Sequence, residues 1–441
     1  LTGPRRSGAR AALAMNAGGA SQMQERAVDA QRDGRFARVA WILLDWAASG
    51  FSTVLITLVV AYVKRLVMPD GWWGLEAGVI WAWTLAVAML ASALLTPAAA
   101  AWADRRDGHQ RAVLAGTVVG AGGLVALAAV PTAAGGAVVA AVIAACVGFD
   151  MAQIFTGSLL ARIADGHGAD RLSARGFAAG YAGGAIALIG ATAIVTARDR
   201  LGLTMAGSLR LAFAATAAWW LLFSLPAAVA RFPGAASGDD GRQSRDLRGF
   251  ARTIWAAARG EGEYRLAGVL AGAMLALGAF QTAISQVPSL AEQRFDLDGP
   301  TLVRLVLLVQ AVALPGALAI GWLSLRFGRR AATDVCLGGW VAVLVLAWLV
   351  RTPAHLHGVA VLLALVLGGA QSLLRAAVAA AAPPGREGIT FGLLQVGTKF
   401  AGFGVGVAFG VLQLVGGVPE AGRVAIGVQL AASGWLLRRI A

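Results

Sequence analysis

Stretches of about twenty apolar residues recur along almost the whole chain, and this constrains its fold more than any other feature. The runs fall at 39–63, 76–103, 111–130, 136–162, 174–197, 207–230, 265–288, 301–325, 331–350, 357–381, 389–414 and 420–438. Each is long enough for a helix crossing a hydrocarbon layer about 30 Å thick, at 1.5 Å per residue. Such runs cannot all be buried in one water-soluble core, so the expectation is an all-α membrane protein with about twelve transmembrane helices. Charged residues make up only 14% of the chain, against about 25% in soluble domains.

The charges that remain mark topology. The longest polar gap, 231–264, divides the runs into six and six. Its Ser237-Gly-Asp-Asp-Gly241 has linker composition. Leu247, Phe250, Ile254 and Trp255 in its basic second part have the spacing of a surface-lying amphipathic helix. The expected domains are therefore a polar, basic, disordered segment at 1–38, a six-helix bundle at 39–230, a cytoplasmic linker at 231–264 and a second bundle at 265–441. Residues 1–38 lack the apolar core of a signal peptide, and Met15 and Met23 are candidate start residues. If residues 1–38 lie inside, the inner segments hold 26 Lys and Arg and the outer ones nine. The positive-inside rule then puts both termini in the cytoplasm, with a bacterial plasma membrane as the expected location. The net charge of +14 comes from short clusters between apolar runs, facing anionic lipid and not nucleic acid.

Two polar turns occupy matching places in the two halves. Ala103-Asp104-Arg105-Arg106-Asp107-Gly108 follows the second run. Gly321-Trp-Leu-Ser-Leu325-Arg326-Phe-Gly328-Arg329-Arg330 closes the eighth. Parallel six-helix repeats of this kind are the plan of major facilitator transporters. The turns resemble that superfamily's loop motif, with Asp104, Arg105 and Gly108 in the first copy and Gly321, Arg326, Gly328 and Arg329 in the second. The resemblance implies that the acid braces the loop against a neighbouring helix end in one state of the transport cycle. Leu325 replaces it in the second copy, which suggests that the halves lock unequally. Trp41 to Asp45-Trp46-Ala-Ala-Ser49-Gly-Phe51, with Gly369-Ala-Gln371, Arg375, Phe391-Gly392 and Lys399, is similar to the vacuole-effluxer-like branch of the superfamily. That branch is associated with amino-acid efflux.

Polar residues within the apolar runs give the candidate pathway. Asp45 and Ser49 share a helical face, as do Asp150 and Gln153, Gln371 and Arg375, and Gln395 and Lys399; Gln281 stands in the seventh run. A charge at mid-bilayer costs at least about 2.5–3.5 kcal/mol, so it faces a partner or a cavity. Lys399 and Asp150 lie near mid-span, where they can contact substrate or proton. Asp45 and Arg375, nearer the cytoplasmic ends, suit an inner gate, although Asp45 could simply cap the first span. The four histidines, His109, His167, His355 and His357, fall at expected loops. Cys146 and Cys336 lack a metal-binding or redox spacing. No Gly-x-x-x-x-Gly-Lys phosphate loop occurs, and no cofactor, metal or enzymatic activity is expected. The sequence reading is a secondary transporter moving a small polar or zwitterionic solute, amino acids among the candidates, by alternating access; proton coupling is left open. The alternatives are a drug or metabolite efflux pump of the same fold, a transport-inactive membrane sensor or scaffold, and a membrane-embedded enzyme.

Overall fold

The structure is a computed structural model that describes residues 31–164, 166–234, 264–295, 299–416, 427 and 429–434. Eleven long helices follow in order: α1 Gln31–Val67, α2 Ala77–Arg106, α3 His109–Ala129, α4 Gly135–Ile163, α5 Gly166–Thr196, α6 Met205–Val229, α7 Tyr264–Phe295, α8 Gly299–Phe327, α9 Arg329–Trp348, α10 Pro353–Ala381 and α11 Glu387–Gly416. Residues 429–434 are also helical, and Gln429 and Ser433 donate to the Leu275 and Gly272 carbonyls of α7. The proposed amphipathic segment and most of the twelfth run lie outside the described residues.

Nine of the described helices are long and apolar enough to cross a membrane. Their outer faces present Leu94, Val229, Trp83 and Trp322, each at least 60% exposed. Water would penalise so much bare apolar surface, whereas lipid does not. Pro97, Pro226 and Pro315 sit inside α2, α6 and α8. Spanning helices tolerate them because neighbouring groups satisfy the freed carbonyls.

Several helices extend beyond their apolar runs. α1 starts at Gln31, inside the stretch expected to be disordered, and Asp33 near its start pairs with Arg231. α5 starts at Gly166, eight residues before its apolar run, and so carries Asp170 into the structure. α3 starts at His109, which is buried. The histidines therefore do not lie in loops: His109 and His167 are helical, and His355 and His357 lie in the first turns of α10. Polar residues at a helix end lower the local hydropathy without ending the helix, so a hydropathy reading trims them.

Glycine sets the closest packing. α3 and α4 meet along Gly116, Gly120 and Gly123 on one side and Gly148, Ala152, Ala141 and Ala145 on the other. A Cβ at Gly116 would lie 2.7 Å from the Ala152 nitrogen, and one at Gly123 would lie 2.7 Å from the Ala141 oxygen. Small residues one turn apart let two backbones touch in this way.

Across the halves, α2 packs on α11 and α5 packs on α8. Advancing each helix by six positions turns the first pair into the second, so the contacts follow the sequence repeat. α10 also runs along α5 and α4. One apolar cluster takes Trp41 and Phe155 from the first half and Phe280, Trp340 and Phe391 from the second.

Candidate functional site

Polar side chains join the two halves at two levels. The first is the end of the bundle that carries the Asp104 and Arg326 loops. Asp104, fully buried near the end of α2, accepts hydrogen bonds from the Gly388 and Ile389 amides at 2.8 Å each. These are unpaired N–H groups of the first turn of α11, so the carboxylate caps that helix and meets the positive end of its dipole. Arg162 of α4 is 3.3 Å from Glu387 and also pairs with Asp107. Glu387 accepts from the Gly385 amide at 3.0 Å.

The second loop is held from the opposite direction. Asp170 of α5 accepts from Ser324 Oγ at 2.9 Å and from Arg329 Nε and Nη2 at 3.1 and 2.8 Å. The second loop therefore has an acid against it despite Leu325. The acid missing from α8 is supplied by α5, and its position at a polar helix start concealed it. Arg105 and Arg326 are exposed, and Arg326 stacks on Phe327. Gly108 lies against the Trp102 ring, where a Cβ would come within 2.6 Å. It is the preceding Asp107 that takes the left-handed conformation, with φ 53°. Gly328 has φ 88°, which only glycine adopts readily, and Gly321 faces Ala174 of α5.

Deeper at the same end, Arg375 and Asp45 form a two-pronged ion pair between α10 and α1. Nη1 donates to Oδ1 at 2.9 Å and Nη2 to Oδ2 at 2.7 Å. Arg375 also donates to Ser173 Oγ and to the Ser173 carbonyl of α5. Its guanidinium is sandwiched 4.7 Å from the Trp41 ring and 4.2 Å from that of Phe177. Asp45 is 5% exposed and lies fourteen residues into α1, so it does not cap that helix. Gly176 leaves the pair its room: a Cβ there would come within 2.9 Å of Arg375 Nη2.

The second level is mid-span. Lys399 of α11 pairs directly with Asp150 of α4. Asp150 accepts as well from Ser92 Oγ of α2 at 2.6 Å and from Gln395 Nε2, one turn before Lys399, at 3.2 Å. Ser92, Asp150 and Lys399 are each at least twelve residues from an end of their helix, which is roughly 18 Å or more of helix. Gln153, one turn along from Asp150, has a buried side-chain oxygen without a hydrogen-bond partner. Gln310 of α8 donates to Thr53 of α1 at 2.6 Å, and Tyr181 of α5 donates to Gln371 of α10 at 3.3 Å. Ser49 faces Gly180 of α5. Gln281 is exposed and joins neither level.

The sequence reading placed Thr53 on the polar face of the first run with Asp45 and Ser49, but missed Ser92, Gln310, Asp170, Ser173 and Glu387. Hydroxyls alone carry too weak a signal in a membrane helix, and the two acids sit at helix starts. Asp104, His109 and Glu387 lie close together, but their carboxylate oxygens already accept from three backbone amides and Arg162. They form an ion-pair network, and the cation already there is a guanidinium.

The model of the vacuole effluxer Atg22-like family matches residues 75–414. The chain belongs to this family. A Bacillus subtilis relative, an uncharacterized MFS-type transporter named YxiO, is 23% identical over 374 residues, covering 82% of this chain and 85% of its own length. Among solved structures, the Escherichia coli fucose:proton symporter FucP superposes with a TM-score of 0.66 at 13% identity, covering 92% of this chain and 98% of its own. The proton:xylose symporter XylE gives 0.67 at 12% identity, with 93% and 95% covered. The human organic anion transporter MFSD10 gives 0.62 at 17% identity, with 92% and 99% covered. These matches show that this Atg22-like chain has the major facilitator fold and is a multi-pass membrane protein.

Proposed function

We propose that this protein is a secondary transporter that moves a small zwitterionic solute, of the amino-acid type, between two six-helix bundles spanning 39–230 and 265–441. The observation that carries this reading is the Asp150–Lys399 pair. It joins the two halves at mid-span, where Ser92 and Gln395 also donate to Asp150. In alternating access α4 and α11 must separate. Parting a buried pair leaves each charge uncompensated, at about 3–5 kcal/mol. A zwitterion offsets that loss by giving an ammonium to Asp150 and a carboxylate to Lys399. The unpartnered Gln153 oxygen one turn away suits a further N–H donor. A proton delivered to Asp150 would release Lys399 by the same logic, which makes the pair the natural point for proton coupling.

The two polar levels have different roles in this reading. The Asp45–Arg375 pair, with the Asp104 and Asp170 locks, is the gate on the loop side. The Asp150–Lys399 level is the binding site beneath it. The Arg-rich loops support a gate at the cytoplasmic face of a bacterial plasma membrane, with both termini inside.

The test is thermal unfolding of purified protein with panels of amino acids, sugars and organic anions. A true substrate at a hundred times its Kd stabilises the folded state by about 2.7 kcal/mol. An amino acid should raise Tm in the wild type and fail in Lys399→Ala and Asp150→Ala. Lys399→Arg should keep only part of the response, because its planar fork presents the charge differently. A sugar or organic anion that stabilises the wild type and both alanine variants equally would overturn the assignment.

A further inference from the structure

Charge alone does not tell one zwitterion from another. An amino acid, an N-methylated amino acid and a betaine each carry one positive and one negative end, and the Asp150–Lys399 pair would attract all of them. They differ in the hydrogens on the cationic nitrogen. A primary ammonium has three and a quaternary one has none, so the acceptors around Asp150 decide which is held best.

Those acceptors can be counted. A carboxylate has about four lone-pair sites. Asp150 Oδ2 accepts from Ser92 Oγ at 2.6 Å and from Lys399 Nζ, and Oδ1 accepts from Gln395 Nε2 at 3.2 Å. When Lys399 turns to a substrate carboxylate, Ser92 and Gln395 still occupy two of the sites, and Asp150 has two left for the substrate. The third hydrogen of a primary ammonium needs an acceptor outside Asp150.

Side chains three and four positions from Asp150 share its face of α4. Cys146, four before it, is buried, and its sulfur is a weak acceptor. Gln153, three after it, carries an amide whose side-chain oxygen is buried and takes no hydrogen bond among the described residues. Buried side-chain acceptors are rarely left unpaired. Cβ atoms at this spacing lie about 5–6 Å apart, a gap that one nitrogen bonded to both side chains can bridge.

We propose that Gln153 sets the specificity of this site for a primary ammonium: its oxygen accepts the hydrogen that Asp150 cannot, and N-alkylated zwitterions leave it unpaired. Resting on the assignment of Asp150–Lys399 as the zwitterion site, this narrows the substrate to amines with three N–H groups. A site built to bond a substrate N–H rejects analogues that lack it, because its own buried group is then left without a partner. One hydrogen bond to a charged group contributes roughly 10- to 150-fold to binding. Removing the Gln153 oxygen takes that factor from a free amine and not from its N,N,N-trimethyl derivative, which has no hydrogen to give.

The experiment measures dissociation constants for full-length protein in lipid nanodiscs, from the rise of Tm with ligand concentration. The probes are glycine and L-phenylalanine, each as the free amine, the N-methyl and the N,N,N-trimethyl derivative. Wild-type affinity should fall in that order. Gln153→Met keeps the length of the side chain and removes the acceptor. In it the ratio of the trimethyl to the free-amine dissociation constant should drop by roughly 10- to 150-fold. The trimethyl group is also larger, but that difference is the same in the variant. A variant that is merely destabilised weakens every probe alike and leaves the ratio in place. Lys399→Ala should abolish the response to every probe, since each carries the carboxylate. If it does so while the ratio in Gln153→Met stays within twofold of wild type, the role of Gln153 is overturned and the zwitterion site stands. A wild type that binds the trimethyl derivatives as tightly as the free amines overturns that role without any variant. No response in the wild type, or responses that persist in Lys399→Ala, overturn both assignments.

Discussion

Arg375→Lys isolates what geometry contributes to the gate, because it keeps the charge and removes the fork. Arg375 makes two hydrogen bonds to Asp45 and two to Ser173, and stacks between Trp41 and Phe177. A lysine ammonium can reach Asp45 with one bond but cannot span Asp45 and Ser173 together. Losing at least one charged hydrogen bond removes about 1.5–3 kcal/mol, and losing the aromatic sandwich about 0.5–2 kcal/mol. The closed gate is then less favoured by about 2–5 kcal/mol, a shift of roughly 30- to 5,000-fold in the opening equilibrium. Ser372 reports it: it is 1% exposed in α10, and its carbonyl accepts from Ser173. A cysteine at Ser372, in a background without Cys146 and Cys336, should react with a maleimide at a rate set by the open fraction. Arg375→Lys should accelerate labelling within that range until the open state predominates. Gly176→Ala should do the same without touching a charge, because the new methyl would meet Asp45, Trp41 and Arg375. Labelling within threefold of the parent in both variants refutes the claim that this pair holds the gate.

Asp104→Asn should also speed labelling at Ser372→Cys, since an amide can accept from only one of the two α11 amides and sets its own N–H against the other. Asp170→Asn should do likewise by loosening Ser324 and Arg329, whereas Leu325→Ala should leave the rate unchanged; equal effects at Asp170 and Leu325 would show that the acid on α5 is not the second lock. Gly148→Ala should lower stability by about 1–3 kcal/mol through overpacking, because its Cβ would come within 2.6 Å of the Gly116 oxygen and force α3 from α4; an unchanged Tm would mean that the helices part freely. A cysteine at Ser237 should react with an impermeant reagent only after the membrane is opened, and labelling in intact cells would reverse the proposed orientation.

The membrane-spanning character, the helix positions and the two-half repeat were legible in the sequence because each is a local property. A run of apolar residues crosses lipid as a helix whatever its neighbours do, since only internal hydrogen bonds satisfy its backbone there. For the same reason Asp45, Asp150, Arg375 and Lys399 stood out, as charges where hydrocarbon admits few. Their pairing was less accessible. Asp45 finds Arg375 across 330 residues and Asp150 finds Lys399 across 249, and only the packing of α1 on α10 and α4 on α11 selects those partners. Asp170 shows the limit most clearly. The apolar Leu325 suggested a missing lock, but a carboxylate on a different helix bonds Ser324 and Arg329 of the same loop. His109 was hidden in a similar way, as a polar residue beside a loop that is buried by contacts with α2 and α4. Hydropathy decides which segments enter the membrane. Which polar groups meet there depends on the distances between helices far apart in the chain, and that is decided by the tertiary structure.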